Sequence, residues 1–234
     1  MNEKNLHCNT RNIKSLENFQ SGTRHLENSE IKLAIRDLER AVLYDSTFCD
    51  AWSNLAIAHQ KAANFEKSYW SAINALVIDS TFSTPWITIG YTFFLSGDYN
   101  KSLVSFGHLK NLRPDNPEGY YGSSFVLYSM STLDKAQQEL EIAKEKYQES
   151  KIPISNEVKF LEARILFEKS EYSKSRDLLE SIYSDYKDDA VANYYLGVCI
   201  LRTNGDSRDN WRKFILKAKR EGYKIDDDIN ELIK

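Results

Sequence analysis

The sequence predicts an all-α fold, a solenoid of stacked helical hairpins, and three observations carry that prediction. The first is a period of 34 residues: the windows 15–48, 49–82 and 83–116 align end to end without a gap, and 117–150 continues in register. A fixed period of this length marks a repeat architecture, in which each unit buries its apolar face against the next. The second is side-chain size. The eighth position of the four windows reads Gly22, Ala56, Gly90 and Ser124, and the twentieth reads Ala34, Ser68, Ser102 and Ala136. Small residues at two fixed points let two helices cross closely. The third is composition: 9 Gly and 4 Pro in 234 residues, with no period-two alternation to suggest strands.

The elements follow in order. Residues 1–14 are polar and are expected to be a flexible lead. Each window then supplies two helices. Bulky residues beside the small ones fill the remaining space: Trp52, Trp86 and Tyr120 at the fourth position, and Ile31, Phe65, Tyr99 and Leu133 at the seventeenth. Turns are expected at Asn28 and Ser29, at Asp45 and Ser46, at Asp79 and Ser80, from Ser96 to Asp98, and at Arg113 and Pro114, since Asn and Asp side chains bond nearby backbone groups. Residues 151–155 are an insertion. Pro153 lacks a backbone donor and restricts its predecessor, so the preceding helix should stop near Glu149. The repeat at 156–189 keeps Ala163, Leu166, Tyr172, Ser175 and Leu179 but departs at Lys159 and Glu162. The repeat near 190–222 starts well through Leu196 and Gly197. Its second helix, around Trp211, Phe214 and Ala218, is displaced by about two residues. Residues 223–234, with Ile229, Leu232 and Ile233 on one side, are expected to form a capping helix, because the last apolar face of a solenoid needs cover. A sharper reading has this tail fold into the binding groove and regulate access.

Trp52, Asn54, Leu55 and Ala56 with Ala75, Leu76 and Asp79 resemble the tetratricopeptide repeat (TPR) family. So do Trp86, Ile89 and Gly90 with Gly97, Asp98, Tyr99 and Pro114. The resemblance spans roughly residues 15–220. It implies a right-handed solenoid of about six repeats, over 15–222, whose work is to hold another protein. It further implies that the first helix of each repeat lines a concave wall, through its second, fifth, ninth and twelfth positions.

Those positions are rich in aromatic and aliphatic residues, densest in the third and fourth repeats: Thr84, Ile87, Tyr91 and Phe94, then Glu118, Tyr121, Phe125 and Tyr128. The fifth repeat adds Phe160, Arg164 and Phe167. The expected partner-binding residues are Phe19, Ile87, Tyr91, Phe94, Tyr121, Phe125, Tyr128 and Tyr194. The fitting ligand is an apolar-faced helix or an extended peptide. The family's carboxylate clamp, which holds chaperone tails, needs Lys and Arg at set positions; only Asn54 matches, so that mode is disfavoured.

The remaining observations exclude other classes. Net charge is −3 and pI about 5.9, which argues against a general nucleic-acid or anionic-membrane binder. No apolar run reaches the ~20 residues of a membrane span, and the first residues lack a secretory apolar stretch. Cys8, Cys49 and Cys199 are odd in number and far apart, and are expected to be reduced thiols in a cytoplasmic protein. His25 and His59 share the eleventh position of adjacent repeats, but no third and fourth ligand accompanies them, so no metal site is expected. No phosphate loop, nucleophile elbow or metal motif appears. The expected function is a cytoplasmic, non-enzymatic scaffold or adaptor without cofactor, binding a protein or peptide, with self-association left open. The alternative is a dedicated chaperone or assembly factor for a secretion or pilus machine.

Overall fold

A computed structural model describes residues 6–204 and 210–233. Its helices come in hairpins: α1 (Ile13–Glu27) with α2 (Ile31–Tyr44), α3 (Cys49–Lys61) with α4 (Phe65–Ile78), and α5 (Ser83–Leu95) with α6 (Tyr99–Leu112). The order continues through α7 (Pro117–Ser129), α8 (Leu133–Glu149), α9 (Asn156–Glu168), α10 (Tyr172–Tyr186), α11 (Ala190–Asn204) and α12 (Asn210–Arg220) to a short α13 (Asp227–Leu232). The architecture is an all-α solenoid of helix-turn-helix repeats. The chain divides into two compact units, Met1–Val126 and Leu127–Lys234.

The hairpins close where the small residues lie. Ala34, Ser68, Ser102, Ala136 and Ser175, all at the twentieth position of their repeats, are fully buried. The buried serines also satisfy their own hydroxyls across the crossing: Ser102 Oγ donates to the Gly90 carbonyl and Ser175 Oγ to the Ala163 carbonyl, each at 2.7 Å. In the first unit the Phe106 ring is wedged against two glycines of successive first helices. A Cβ on Gly90 would lie 2.7 Å from the ring, and one on Gly122 closer still. Leu38 fills the same place against Gly22, and in the second unit Ile215 does so against Gly197. Ile215 comes two residues later than strict register allows, so α12 is displaced as its sequence suggests.

The turn inside each hairpin is also repeated. Its fifteenth-position residue takes a left-handed backbone at Ser29 (φ 61°), Ala63 (57°), Gly97 (85°), Ser131 (57°) and Ser170 (61°). Only glycine enters this region without steric cost. The others are held by a recurring backbone bond that closes the helix end, such as Asn64 N–H to the His59 carbonyl and Glu171 N–H to the Leu166 carbonyl. After α8 the chain leaves the helix at Ser150, and Lys151 (φ 56°) turns it into the insertion. The stop falls where Pro153 requires it.

Two expectations are corrected at the amino end. The lead is not flexible throughout. Residues 1–5 lie outside the described residues, but from residue 6 the chain is pinned along the first unit. Leu6 packs on the core of α1, α2 and α3. The amides of His7 and Cys8 donate to Asp50 at 3.1 and 2.6 Å. The His7 ring stacks on Phe82, with centroids 4.3 Å apart, and bonds Asp79 at 3.0 Å. Thr10 bonds Asp45, and Asn12 caps α1 through Ser15 N–H. The cysteines are not all reduced thiols either: Cys8 and Cys49, with Cα atoms 5.6 Å apart, form a disulfide. The free Cys199 is buried, and that burial pushes its thiol up to about 11.

At the carboxyl end, residues 223–233 lie against α11 and α12. Ile225 and Ile229 are buried in their core, Arg212 donates to the Leu232 carbonyl and Lys219 to Asn230. The segment covers the end of the second unit, although only Asp227–Leu232 of it is helical. Lys234 lies outside the described residues.

These contacts can be tested at two places. Gly122→Ala gains about 1 kcal/mol of helix propensity but forces the Phe106 ring from a packed slot at about 1–3 kcal/mol, so the net change in urea unfolding is destabilising; a more stable variant refutes the wedge. Peptide mapping without reductant should recover Cys8 and Cys49 in one linked species. Because the bridge closes a sequence separation of 41 residues, Cys8→Ser should cost up to about 4 kcal/mol in the chain-entropy limit.

Candidate functional site

In the first unit the aromatic residues named from the sequence come together on one face of the first helices. Ile87, Tyr91 and Phe94 of α5 share a stripe through their spacings of four and three, and Tyr121 and Phe125 on α7 occupy equivalent positions one repeat on. All five are half-buried. Phe94 meets Phe125 with ring centroids 4.8 Å apart and Tyr99 at 5.5 Å, while Tyr91 stands edge-on to Phe106 at 5.2 Å. The wedge that closes the hairpin therefore also supports the back of Tyr91. Nearer the amino end the same face is closed. Phe19 is only 3% exposed, packed on Phe48 at 4.8 Å. It is core, packed in one cluster with Leu38 of its own hairpin, Phe48 at the approach to the next repeat and Leu55 within that repeat. Thr23 accepts from Asn54, and Gln60 donates to the Thr88 carbonyl and to Thr92.

In the second unit the corresponding face is an aromatic cluster around one cation. The Arg164 guanidinium lies 4.5 Å from the centroid of Tyr128 and 5.8 Å from that of Phe160. Phe167 stacks on Tyr195 at 4.0 Å, and the Tyr195 hydroxyl donates to Glu168 and meets that of Tyr128 at 3.4 Å. Tyr128 is half-buried, as a contact residue requires. Tyr194 is not available: it is 3% exposed, stacked on Tyr223 at 4.5 Å, and its hydroxyl donates to Asp226 at 2.5 Å. The carboxyl-terminal segment, not a partner, occupies this position. Burial, reinforced for Tyr194 by Asp226 and for Tyr195 by Tyr128, raises both phenols well above their ordinary value.

The two repeat histidines do not form a site together. His25 bonds Glu30 and lies 3.4 Å from Asp37. His59 is 3% exposed, its Nδ1 lacks a partner, and burial followed by the charge of Lys67 lowers its pKa, so it is neutral near pH 7. Among the described residues one group has metal-ligand spacing, Cys8, Cys49 and Asp50, but its sulfurs are consumed by the disulfide. Sequence reasoning missed a cavity of about 650 Å³ between α2 and α4, lined by Leu43, Trp52, His59 and Trp70 among others. Its only linear signal is apolar residues on outward positions: Leu43 is 81% and Trp70 56% exposed.

Neither a family model nor a curated protein matches the chain in sequence. Solved structures do match in shape. Pseudomonas aeruginosa pilF is similar at TM-score 0.73 and 19% identity, over 88% of this chain and 91% of that one. TTC0263, a thermophilic TPR protein of Thermus thermophilus, gives 0.66 and 11%, over 80% and 99%. YrrB, described as a TPR protein with an unusual peptide-binding site, gives 0.56 and 17%, over 79% and 92%. The chain has the tetratricopeptide-repeat fold. At these identities the likeness concerns the fold alone. Among the described residues no helix is long and apolar enough to cross a membrane.

The buried phenols make the site sensitive to alkali. A phenol whose folded pKa is raised stabilises the fold fully below its ordinary value of 10.0, and that contribution is lost as pH rises beyond it. In an ultraviolet titration Tyr194 and Tyr195 should form phenolate only as helicity is lost. If all 14 tyrosines ionise while circular dichroism is unchanged, their burial is wrong.

Proposed function

We propose that this TPR chain is a non-enzymatic scaffold or adaptor that holds an apolar-faced helix or extended peptide against the aromatic face of its first helices. One observation carries the reading: Ile87, Tyr91, Phe94, Tyr121 and Phe125 remain half-buried on one face while the helix-crossing positions behind them are sealed. Contiguous apolar surface of this kind marks a binding site on a water-soluble fold. Each covered aromatic contributes about 1.5–3 kcal/mol before the costs of association, so a few anchors suffice for micromolar affinity. The proposed anchors are Ile87, Tyr91, Phe94, Tyr121, Phe125 and Tyr128; Phe19 and Tyr194 drop out because they are core.

The partner is a protein or peptide, with neither nucleic acid nor cofactor required. A dedicated chaperone or assembly factor for a secretion or pilus machine would use the same face and differ only in its client. The Cys8–Cys49 bridge favours an oxidising compartment over the cytoplasm. Because α5 and α7 supply the central anchors, Tyr91→Ala combined with Phe125→Ala should abolish partner capture from native extract while helicity is retained. Mass spectrometry of material captured by wild type and double variant decides this: identical partners on both would move the site elsewhere, and self-association would appear as capture of the chain itself.

A further inference from the structure

Among the half-buried cations of the second unit, Lys159 bonds the Asn156 amide oxygen and Arg212 the Leu232 carbonyl. Lys144, Lys169, Arg176 and Lys217 each meet a carboxylate within 2.7–3.0 Å. Arg164 meets none among the described residues. It lies beside the Tyr128 and Phe160 rings and close enough to Tyr223 to favour ionisation of that phenol, and its Nε is buried without an acceptor among the described residues. Two carboxylates of this neighbourhood bond phenols instead: Glu168 accepts from Tyr195 and Asp226 from Tyr194. An unsatisfied guanidinium N–H costs free energy, and such groups in native proteins call for an explanation. Arg164 occupies the ninth position of its repeat, the position Tyr91 and Phe125 hold in theirs.

We propose that Arg164 is the anion anchor of this face and binds the side-chain carboxylate of an aspartate or glutamate set among the apolar anchors of the partner segment. The proposal rests on the reading of the first-helix face as a peptide site. A guanidinium presents a planar fork that matches one carboxylate through two parallel hydrogen bonds, and the rings beside it exclude water and strengthen that pairing. A side-chain carboxylate fits better than a chain terminus. Arg164 is a single cation rather than the cluster that terminal capture uses, and the rings around it offer grip to residues on either side of the acid.

The test is selection from a library of random short peptides, displayed with blocked carboxyl termini, on the full chain. Selected sequences should carry Asp or Glu at a constant spacing from aromatic or aliphatic residues. A synthetic peptide from the selection should bind Arg164→Gln roughly 10- to 100-fold more weakly than wild type, as loss of a charged hydrogen bond requires. Arg164→Lys should restore part of that loss, and replacing the acid of the peptide by its amide should weaken binding to wild type alike. The amide peptide tests the pairing even if Arg164→Gln folds poorly. Peptides that bind wild type and Arg164→Gln equally, yet lose affinity for the Tyr91→Ala, Phe125→Ala variant, overturn the role of Arg164 and leave the peptide face standing. A library that yields no binder, or binders indifferent to all variants, overturns both.

Discussion

Everything in this fold depends on how closely two helices approach where one of them carries a very small side chain or none. At Gly22, Gly90, Gly122 and Gly197 the missing Cβ leaves a slot that a bulky residue of the second helix fills: Leu38, Phe106 or Ile215. The slot sets the spacing of the hairpin. It also fixes its rotation, and so decides which first-helix residues are sealed and which stand half-open. Phe106 serves two successive first helices at once and also backs Tyr91. Packing at crystal-like density leaves no slack to absorb a change there.

A repeat stack built this way leaves each end with an apolar face that no neighbour covers. The two terminal segments are held by different means. At the amino end an irregular segment is held by hydrogen bonds to Asp45, Asp50 and Asp79, by the stacking of His7 on Phe82, and by the covalent bridge to Cys49. Burial opposes ionisation of Asp45, but bonds from Thr10 and Thr47 outweigh it; bonds from Thr81 and then His7 act on Asp79, and both carboxylates are held below their usual range. The carboxyl end uses burial of Ile225 and Ile229, together with Tyr223 and Asp226 on Tyr194.

The aromatic residues of the first helices form two chemically distinct surfaces. In the first unit they are aliphatic and aromatic and meet one another. In the second they surround a guanidinium and are joined by phenol hydroxyls to one another and to Glu168. A purely apolar face selects little beyond hydrophobicity, whereas a cation left without an anion imposes a chemical requirement on what binds beside it.

Most of the fold was legible in the sequence because its constraints are local and repeated. Small residues at the eighth and twentieth positions report a packing rule that recurs every repeat, helix-stopping Pro153 and the displaced register around Trp211 mark local departures that the chain chemistry itself signals, and the half-buried stripe through Ile87, Tyr91 and Phe94 follows from helical spacing. What the tertiary structure alone decided involves residues distant in the chain with no periodic signature. Nothing in the pattern pairs Cys8 with Cys49 or seats His7 on Phe82. Phe19 and Tyr194 hold the same repeat position as Ile87 and Tyr121, yet Phe19 is buried against Phe48 and Tyr194 under Tyr223 and Asp226 of the tail. Arg164 reads as an ordinary surface cation until its surroundings prove to be rings. Sequence periodicity determines what each repeat does for its neighbours; long-range contacts decide what remains exposed for a partner.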